Sequence, residues 1–391
     1  MRVLLVQYIG DFRETVHRLS QGGEETYYAQ RYSVNTIASI SQRVDALTTL
    51  VCMTPESYDE VLSNGIHAIG AGFKDTLNPT VLIQLIEQQN PTHIILTFPC
   101  RPVLRWAIQH KVKTIAVLAD SFPTDGWRNK VRNFRLARLL NHRQVEWVGN
   151  HNINSSRSLQ KIGVDPAKIV PWDWPSVVTP DSFPAKQLPA NDKPWQLAYV
   201  GALSEAKGVG DILDAIALLK AKQISVSLKV AGRGDVDHFM QQARQLGIES
   251  AVDFLGTIPN FKVVHLMREA DTVIIPSRHE YPEGLPMTIY EALCSRTPIV
   301  ASDHPMFRGK LNDGISAIVF PAHDPHSLAN SIETLMSDAA LYHRLSQASE
   351  EAWQQLQIPV KFADFLDHWL FDPPTAQPWL SNYRLSTGIY D

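Results

Sequence analysis

Short runs of apolar, largely β-branched residues alternate along the chain with longer segments whose apolar positions recur at helical spacing. In the first half the short runs are Val3–Val6, Thr48–Cys52, His93–Thr97, Thr114–Leu118 and Glu146–Val148. Between them the spacing predicts helices over Thr26–Val44, Pro79–Gln89, Arg101–Gln109, Arg128–Leu140 and Asn154–Ile162. The pattern restarts further on, with strands expected at Leu197–Val200, Val226–Ala231, Val252–Leu255, Thr272–Ile275, Ile299–Ala301 and Ala317–Phe320. Helices are expected over Val209–Lys220, Val236–Leu246, Val263–Arg268, Met287–Leu293, Ser327–Met336 and Ala339–Leu356. Strands that are apolar throughout, alternating with amphipathic helices, imply parallel sheets covered on both faces.

Prolines crowd the stretch between the two halves: Pro166, Pro171, Pro175, Pro180, Pro184, Pro189 and Pro194. Proline lacks the N–H that a ladder or helix needs, so this stretch reads as a linker. The expected organisation is a first α/β domain over 1–175, a linker over 176–195, a second α/β domain over 196–358, and a helix and tail over 359–391. In the tail, Phe362, Phe365, Leu366, Trp369 and Leu370 fall at helical spacing, so this helix is expected to pack back on the first domain. Ligands of doubly wound sheets bind outside the carboxyl ends of the strands, which directs attention to the loops there.

Composition narrows the function little. A chain of 391 residues with 36 Lys and Arg against 40 Asp and Glu has a net charge of −4, which gives no global pull toward nucleic acid. Cys52, Cys100 and Cys294 lie far apart in apolar surroundings, which suits buried thiols in a reducing compartment and lacks metal-ligand spacing. The start reads as a strand rather than a leader, and no apolar run is long enough to span a bilayer, so a cytoplasmic location is expected. One segment departs from the even charge distribution. Arg128, Lys130, Arg132, Arg135, Arg138 and Arg143 occur without an acid among them, interleaved with Trp127, Val131, Phe134 and Leu140. Such a helix suits peripheral contact with anionic lipid through 127–143 or an acidic acceptor; a solvated helix paired with acids elsewhere is the plainer reading.

The richest stretch for chemistry runs from Pro276 to Leu293. A strand ends, a loop carrying Glu283 and Gly284 follows, and a helix opens near Pro286 with Glu291 inside it. A helix amino end offers free N–H groups and positive partial charge to a phosphate. Carboxylates on either side of that phosphate accept hydrogen bonds from sugar hydroxyls, so Glu283 and Glu291 together suit a nucleotide sugar. Two glutamates at this spacing, taken alone, read as surface groups; the strand–loop–helix junction is what changes their meaning. Gly201 ends a strand and Lys207-Gly208 opens the next helix, which puts an ammonium where a diphosphate would lie. Val230-Ala-Gly-Arg-Gly-Asp235 adds glycines after a strand and a guanidinium, Arg233, suited to phosphate.

Taken in order, Tyr199-Val-Gly, Lys207-Gly, Ala231-Gly-Arg-Gly, Phe254-Leu-Gly-Thr-Ile, Ala270-Asp, Ile275-Pro-Ser, Glu283-Gly-Leu-Pro, Glu291-Ala-Leu and Thr297-Pro-Ile-Val resemble the retaining family 4 glycosyltransferases, also grouped as glycosyl transferases group 1. The resemblance covers about 197–303 and implies the GT-B fold, two Rossmann-like doubly wound domains facing each other across a cleft. It implies that Glu283 meets donor-sugar hydroxyls, that Glu291 binds ribose, that Lys207 neutralises the diphosphate and that Ile258 lies where the base is held. Backbone near Leu285 and Met287 would meet phosphate or sugar.

Two departures stand out. Ala202 replaces an arginine common after Val-Gly, with Arg233 or Arg278 as substitutes, and Pro286 removes an amide donor. In the first half, Gly22-Gly23 resembles the family's glycine loop, and Asp120 occupies the place of a histidine near the reacting sugar; a plain turn and a cap are the alternatives. The implied activity is retaining transfer of a hexose-type sugar from a UDP- or GDP-sugar to a hydroxyl of a glycan, lipid or small molecule, as in polysaccharide or glycolipid biosynthesis. The implied enzyme has no tightly bound cofactor and no metal. A nucleotide-sugar epimerase of the same architecture and an inactive nucleotide-sugar-binding homologue stay open.

Overall fold

The computed structural model describes residues 1–74, 76–190, 193–373 and 378–391. The chain divides into two compact units. The first comprises Met1–Glu25, Ala29–Pro175 and Ile358–Asp391, and the second Thr26–Tyr28 and Ser176–Gln357.

The strands of the first unit are β1 Arg2–Gln7, β2 Ala46–Val51, β3 Ser57–Val61, β4 His67–Ala71, β5 His93–Leu96, β6 Lys113–Leu118, β7 Val145–His151 and β8 Ile169–Trp172. They form one sheet in the order β3-β4-β2-β1-β5-β6-β7-β8. All of its pairings are parallel except β3 with β4. Its helices are α1 Phe12–Ser20, α2 Gln30–Ser41, α3 Pro79–Gln89, α4 Arg101–Gln109, α5 Trp127–Leu140 and α6 Ile153–Lys161.

Side chains along a strand alternate between faces, and the two faces of β1 feed two cores. Leu4 and Val6 pack with Leu82, Ile86, Val103 and Leu104 from α3 and α4. Val3 and Leu5 pack with Phe12 and Val16 of α1 and Ile37 and Ile40 of α2.

The second unit has β9 Trp195–Val200, β10 Val226–Ala231, β11 Val252–Gly256, β12 Thr272–Ile275, β13 Ile299–Ser302 and β14 Ile318–Phe320, in the order β11-β10-β9-β12-β13-β14. Every pairing is parallel. The covering helices are α7 Val209–Ala221, α8 Val236–Gln245, α9 Val263–Glu269, α10 Met287–Ser295, α11 Pro325–Ser337 and α12 Ala339–Leu356. Leu197, Tyr199, Leu228 and Val230 meet Ile212, Ile216, Phe239 and Leu328 in its core. A final helix, α13 Phe362–Phe371, belongs to the first unit, where Phe362, Phe365 and Leu366 join the core behind Val3 and Leu5.

Three expectations need correction. The first sheet is mixed, because β3 and β4 form an antiparallel pair at one edge, where no crossover helix is required. Pro171 does join a ladder: it lies in β8, opposite Asn150, and β8 is the other edge strand, the one place in a sheet where a missing N–H does no harm. The helix expected from Thr26 starts only at Gln30, after a left-handed residue at Ala29 (φ 58°), and α1 was not anticipated at all.

Phe365 is fully buried and touches the place where a Cβ on Gly149 would sit, so α13 and β7 are fitted at contact distance. Phe365→Ala is expected to destabilise the first unit by about 3–5 kcal/mol, read as a lower denaturant midpoint. A midpoint equal to wild type would mean that α13 is not part of that core.

Candidate functional site at the carboxyl edge of the second sheet

Strand order reverses direction between β9 and β12, so the loops leaving these neighbours diverge and open a crevice, the place where such sheets take ligands. The loop after β9 carries Gly201 to Gly208, and the loop after β12 carries Pro276 to Pro286. Backbone crossings bind these loops to each other and to the loop after β10. Leu203 N donates to Arg233 O at 2.9 Å, Arg278 N to Ala206 O at 2.9 Å, and Gly201 N to Ala231 O at 3.0 Å. Two glycines make the crossings possible. A Cβ on Gly232 (φ +147°) would lie 1.8 Å from Gly201 O, and one on Gly208 (φ +74°) 2.3 Å from Pro276 O.

These crossings bring Lys207 and Glu283 together. Lys207 Nζ donates to Glu283 Oε1, and the two side chains are only 13% and 6% exposed. Glu283 Oε1 also accepts from Ser277 Oγ at 2.7 Å, and Ser277 O accepts from Ser302 Oγ at 2.6 Å. The Lys207 ammonium lies 4.3 Å from the Tyr281 ring centroid. Tyr281 O in turn accepts from Glu283 N at 2.7 Å and pairs with His304 Nε2 at 3.1 Å. Since His304 Nδ1 accepts from Met306 N at 3.2 Å, the proton sits on Nε2. Burial lowers the His304 pKa, with the Glu283 charge opposing, and keeps the ring neutral. Burial and the Glu283 charge push the Tyr199 phenol well up; it donates to Ala202 O at 2.6 Å.

Glu291 lies inside α10, which starts immediately after Pro286. Glu291 Oε1 accepts from Asn260 Nδ2 at 2.7 Å, and burial raises the carboxyl to about 8 against this hydrogen bond. Gly284, Leu285 and Met287 are buried along the same loop and first helical turn, where helix geometry leaves the leading amides without intrahelical acceptors. Ile258 is half-buried, two residues before Asn260.

The candidate substitutes for the absent arginine divide. Arg278 is occupied: Nε and Nη2 grip the Asp211 carboxylate at 2.9 and 2.7 Å, and Nη2 also meets Glu205 at 3.0 Å. These acids raise its pKa. Arg233 is exposed. In the first unit, burial alone lifts the Asp120 carboxyl to about 6, while its backbone is held on both sides by Asn150, at 3.2 and 2.8 Å. Asp120 does not cap α5, whose N-cap is Gly126. Gly22 and Gly23 close α1: Gly22 is left-handed, and Gly23 N donates to Arg18 O at 2.8 Å, so that amide is already engaged.

The structure thus brings Lys207 and Glu283 into contact and places Gly201, Gly284, Leu285, Met287 and Glu291 on the same or adjoining loops. It leaves Gly23 and Asp120 in the first unit. Sequence reasoning missed Ser277, Tyr281, Asn260 and His304. Ser277 and Tyr281 lie within the stretch singled out, but nothing marked which would face Glu283. His304 follows a strand with no pattern to distinguish it. Among the described residues, no three His, Cys, Asp or Glu side chains are grouped to hold a metal ion.

Glu291 carries a sign-determined prediction. Its folded pKa lies above the ordinary 4.5, so folding favours the neutral acid. The stability this gives is complete below pH 4.5 and is lost as pH rises through about 8. Relative to Glu291→Gln, the ligand-free wild type should therefore weaken progressively across that window, by on the order of a few kcal/mol at its top. Parallel stability–pH curves for the two proteins in chemical denaturation would contradict this.

The glycosyl transferases group 1 family matches residues 182–352. A D-inositol 3-phosphate glycosyltransferase of Corynebacterium glutamicum is 24% identical over 276 residues, 64% of this chain and 63% of that protein. A glycogen synthase of Mycobacterium tuberculosis is 29% identical over 159 residues, 40% of this chain and 38% of that one. The chain thus spans under two thirds of the length of either relative. By fold it is similar to Anabaena Alr3699/HepE, solved in complex with UDP and glucose, with a TM-score of 0.64 at 14% identity, covering 91% of this chain and 95% of that one. Residues 182–352 thus match the glycosyl transferases group 1 family, and the fold is that of the GT-B structures.

Proposed function

We propose that the chain transfers a hexose-type sugar from a UDP- or GDP-sugar to a hydroxyl of a glycan, lipid or small molecule, with retention at the anomeric carbon. The observation that carries this reading is the buried Lys207–Glu283 pair at the reversal of strand order, with the amino end of α10 and Glu291 following it. An ammonium and a carboxylate side by side suit a donor whose diphosphate needs positive charge and whose sugar needs hydrogen-bond acceptors.

In this reading Lys207, the leading amides of α10 near Leu285 and Met287, and exposed Arg233 take the diphosphate. Gly201 and Gly284 let backbone approach it. Glu283, held by Ser277, accepts from sugar hydroxyls; Glu291 and Asn260 take the ribose diol; Ile258 flanks the base. The bond from the anomeric carbon to the diphosphate breaks and its electron pair leaves with the nucleoside diphosphate. The acceptor oxygen bonds the same face of that carbon, and its proton passes to the departing diphosphate. Lys207 and the helix end stabilise the charge that develops there. Asp120 belongs to the first unit, where burial lifts its carboxyl to about 6, and is given no step here. Gly23 is not assigned a phosphate, since its amide is engaged. The relatives named above and the Anabaena protein's complex with UDP and glucose support a nucleotide-sugar donor. The same proposal places the chain in the cytoplasm, peripheral at the inner face of a membrane, and three buried free thiols accord with a reducing compartment.

Melting curves with UDP, GDP and their sugars should show one base family raising the melting temperature, because a ligand of the folded state stabilises it. Glu283→Ala and Glu283→Gln should each lower kcat/KM on that donor by about 10²-fold or more, and Lys207→Ala similarly. Undiminished transfer by the Glu283 variants would remove this residue from the site. A new sugar formed from donor alone would replace transfer by epimerisation.

A further inference from the structure

The exposed face of α5 is a strongly charged surface that the reaction leaves unused. Asn133, Leu136, Ala137 and Leu140 turn inward and anchor the helix to the first unit. On the other side Trp127, Val131 and Phe134, spaced four and three apart, form one stripe along the helix, 71%, 42% and 64% exposed. Arg138 continues that stripe four residues further, and Arg128, Lys130, Arg132 and Arg135 flank it, all exposed. Among the described residues none of these cations, nor Arg143 beyond the helix, makes an ion pair.

This arrangement works against the isolated helix. Arg128 and Arg132 lie four apart, and Arg132, Arg135 and Arg138 three apart, so like charges face one another along the surface. Arg128 and Lys130 also stand at the positive end of the helix dipole, where acids are favoured and none is present. Among the described residues, then, the acids that the plainer reading of the sequence would pair with these charges do not pair with them. A surface of anionic phosphates relieves each of these repulsions. The aromatic stripe favours lipid over a soluble polyanion, because a bilayer interface takes Trp127 and Phe134 at headgroup depth beside the cations.

We infer that α5 lies flat on an anionic bilayer, with Trp127, Val131 and Phe134 at headgroup depth and Arg128, Lys130, Arg132, Arg135 and Arg138 on lipid phosphates. This deepens the peripheral location proposed above by naming the docking face and the lipid class. Two attachments act together, apolar insertion and a cluster of cations, as stable peripheral anchoring requires. No helix is long and apolar enough to cross a membrane among the described residues, so α5 lies on the surface and does not span it.

The test is co-sedimentation of the full chain with vesicles of phosphatidylcholine alone and of phosphatidylcholine with phosphatidylglycerol, without donor. The expected result is binding to the anionic vesicles only, weakening as salt rises. Each exposed cation is worth about fivefold in affinity, so Arg132→Glu with Arg135→Glu should weaken binding by about 25-fold or more. Trp127→Ser with Phe134→Ser should weaken it while leaving the salt dependence unchanged. Indifference of the wild type to phosphatidylglycerol would overturn the inference, as would binding by either double variant equal to wild type. Binding to soluble polyglutamate but not to vesicles would do so in favour of an acidic acceptor. All four positions are exposed, and the wild-type salt titration stands if a variant melts early. Donor-induced stabilisation, measured on the same preparations, separates the two readings: its loss with vesicle binding intact removes the sugar-transfer proposal and leaves this one.

Discussion

Lys207 and Glu283 arrive from two different loops, one after β9 and one after β12, yet they meet in near-complete burial. A buried ion pair is tolerated only where the remaining hydrogen-bond capacity is met, since neither charge has water to fall back on. Here Ser277 supplies a second donor to the carboxylate, and the Tyr281 ring faces the ammonium. The pair in turn depends on backbone crossings that only glycine permits at positions 208 and 232. Sequence, close packing and charge are therefore linked at this edge: a methyl group on Gly208 would push apart the loops that carry the two charges, and one on Gly232 would push the loop after β10 off the loop that carries Lys207.

The same edge shows how a fold distributes electrostatic tasks. Arg278, a plausible phosphate ligand by position, is held by Asp211 and Glu205 and serves to fix the turn that precedes α7. Lys207 remains the ammonium beside the acidic loop, and Glu291 waits as a largely neutral acid with Asn260 beside it. His304 completes the support from the turn after β13, its two nitrogens spent on Met306 N and Tyr281 O. Groups that hold the loop are buried and satisfied, whereas Arg233 stays exposed.

In the first unit charge is handled in the opposite way. The exposed side of α5 gathers like charges around an aromatic stripe and, among the described residues, makes no ion pair with an acid, a local cost carried by the well-packed inner face of Leu136, Ala137 and Leu140. Helix propensity and tertiary packing hold the element; the outward face is free to be chosen for something other than stability.

Much of this was legible in the chain. Apolar runs such as Val3–Val6 and Thr272–Ile275 announce strands buried on both faces, because periodicity of burial is a local property written residue by residue. The junction from Pro276 to Leu293 and the Lys207-Gly208 turn could be located for the same reason, since proline and glycine act through local backbone geometry. What the chain did not reveal alone was partnership: that Pro171 falls on an edge strand, that Arg278 belongs to Asp211, that Ser277, Asn260 and His304 stand behind the two glutamates. Such contacts join residues tens of positions apart, and their geometry is set by strand order and by how closely loops can cross. No pattern of neighbours along the sequence records that; only the packed tertiary structure decides it.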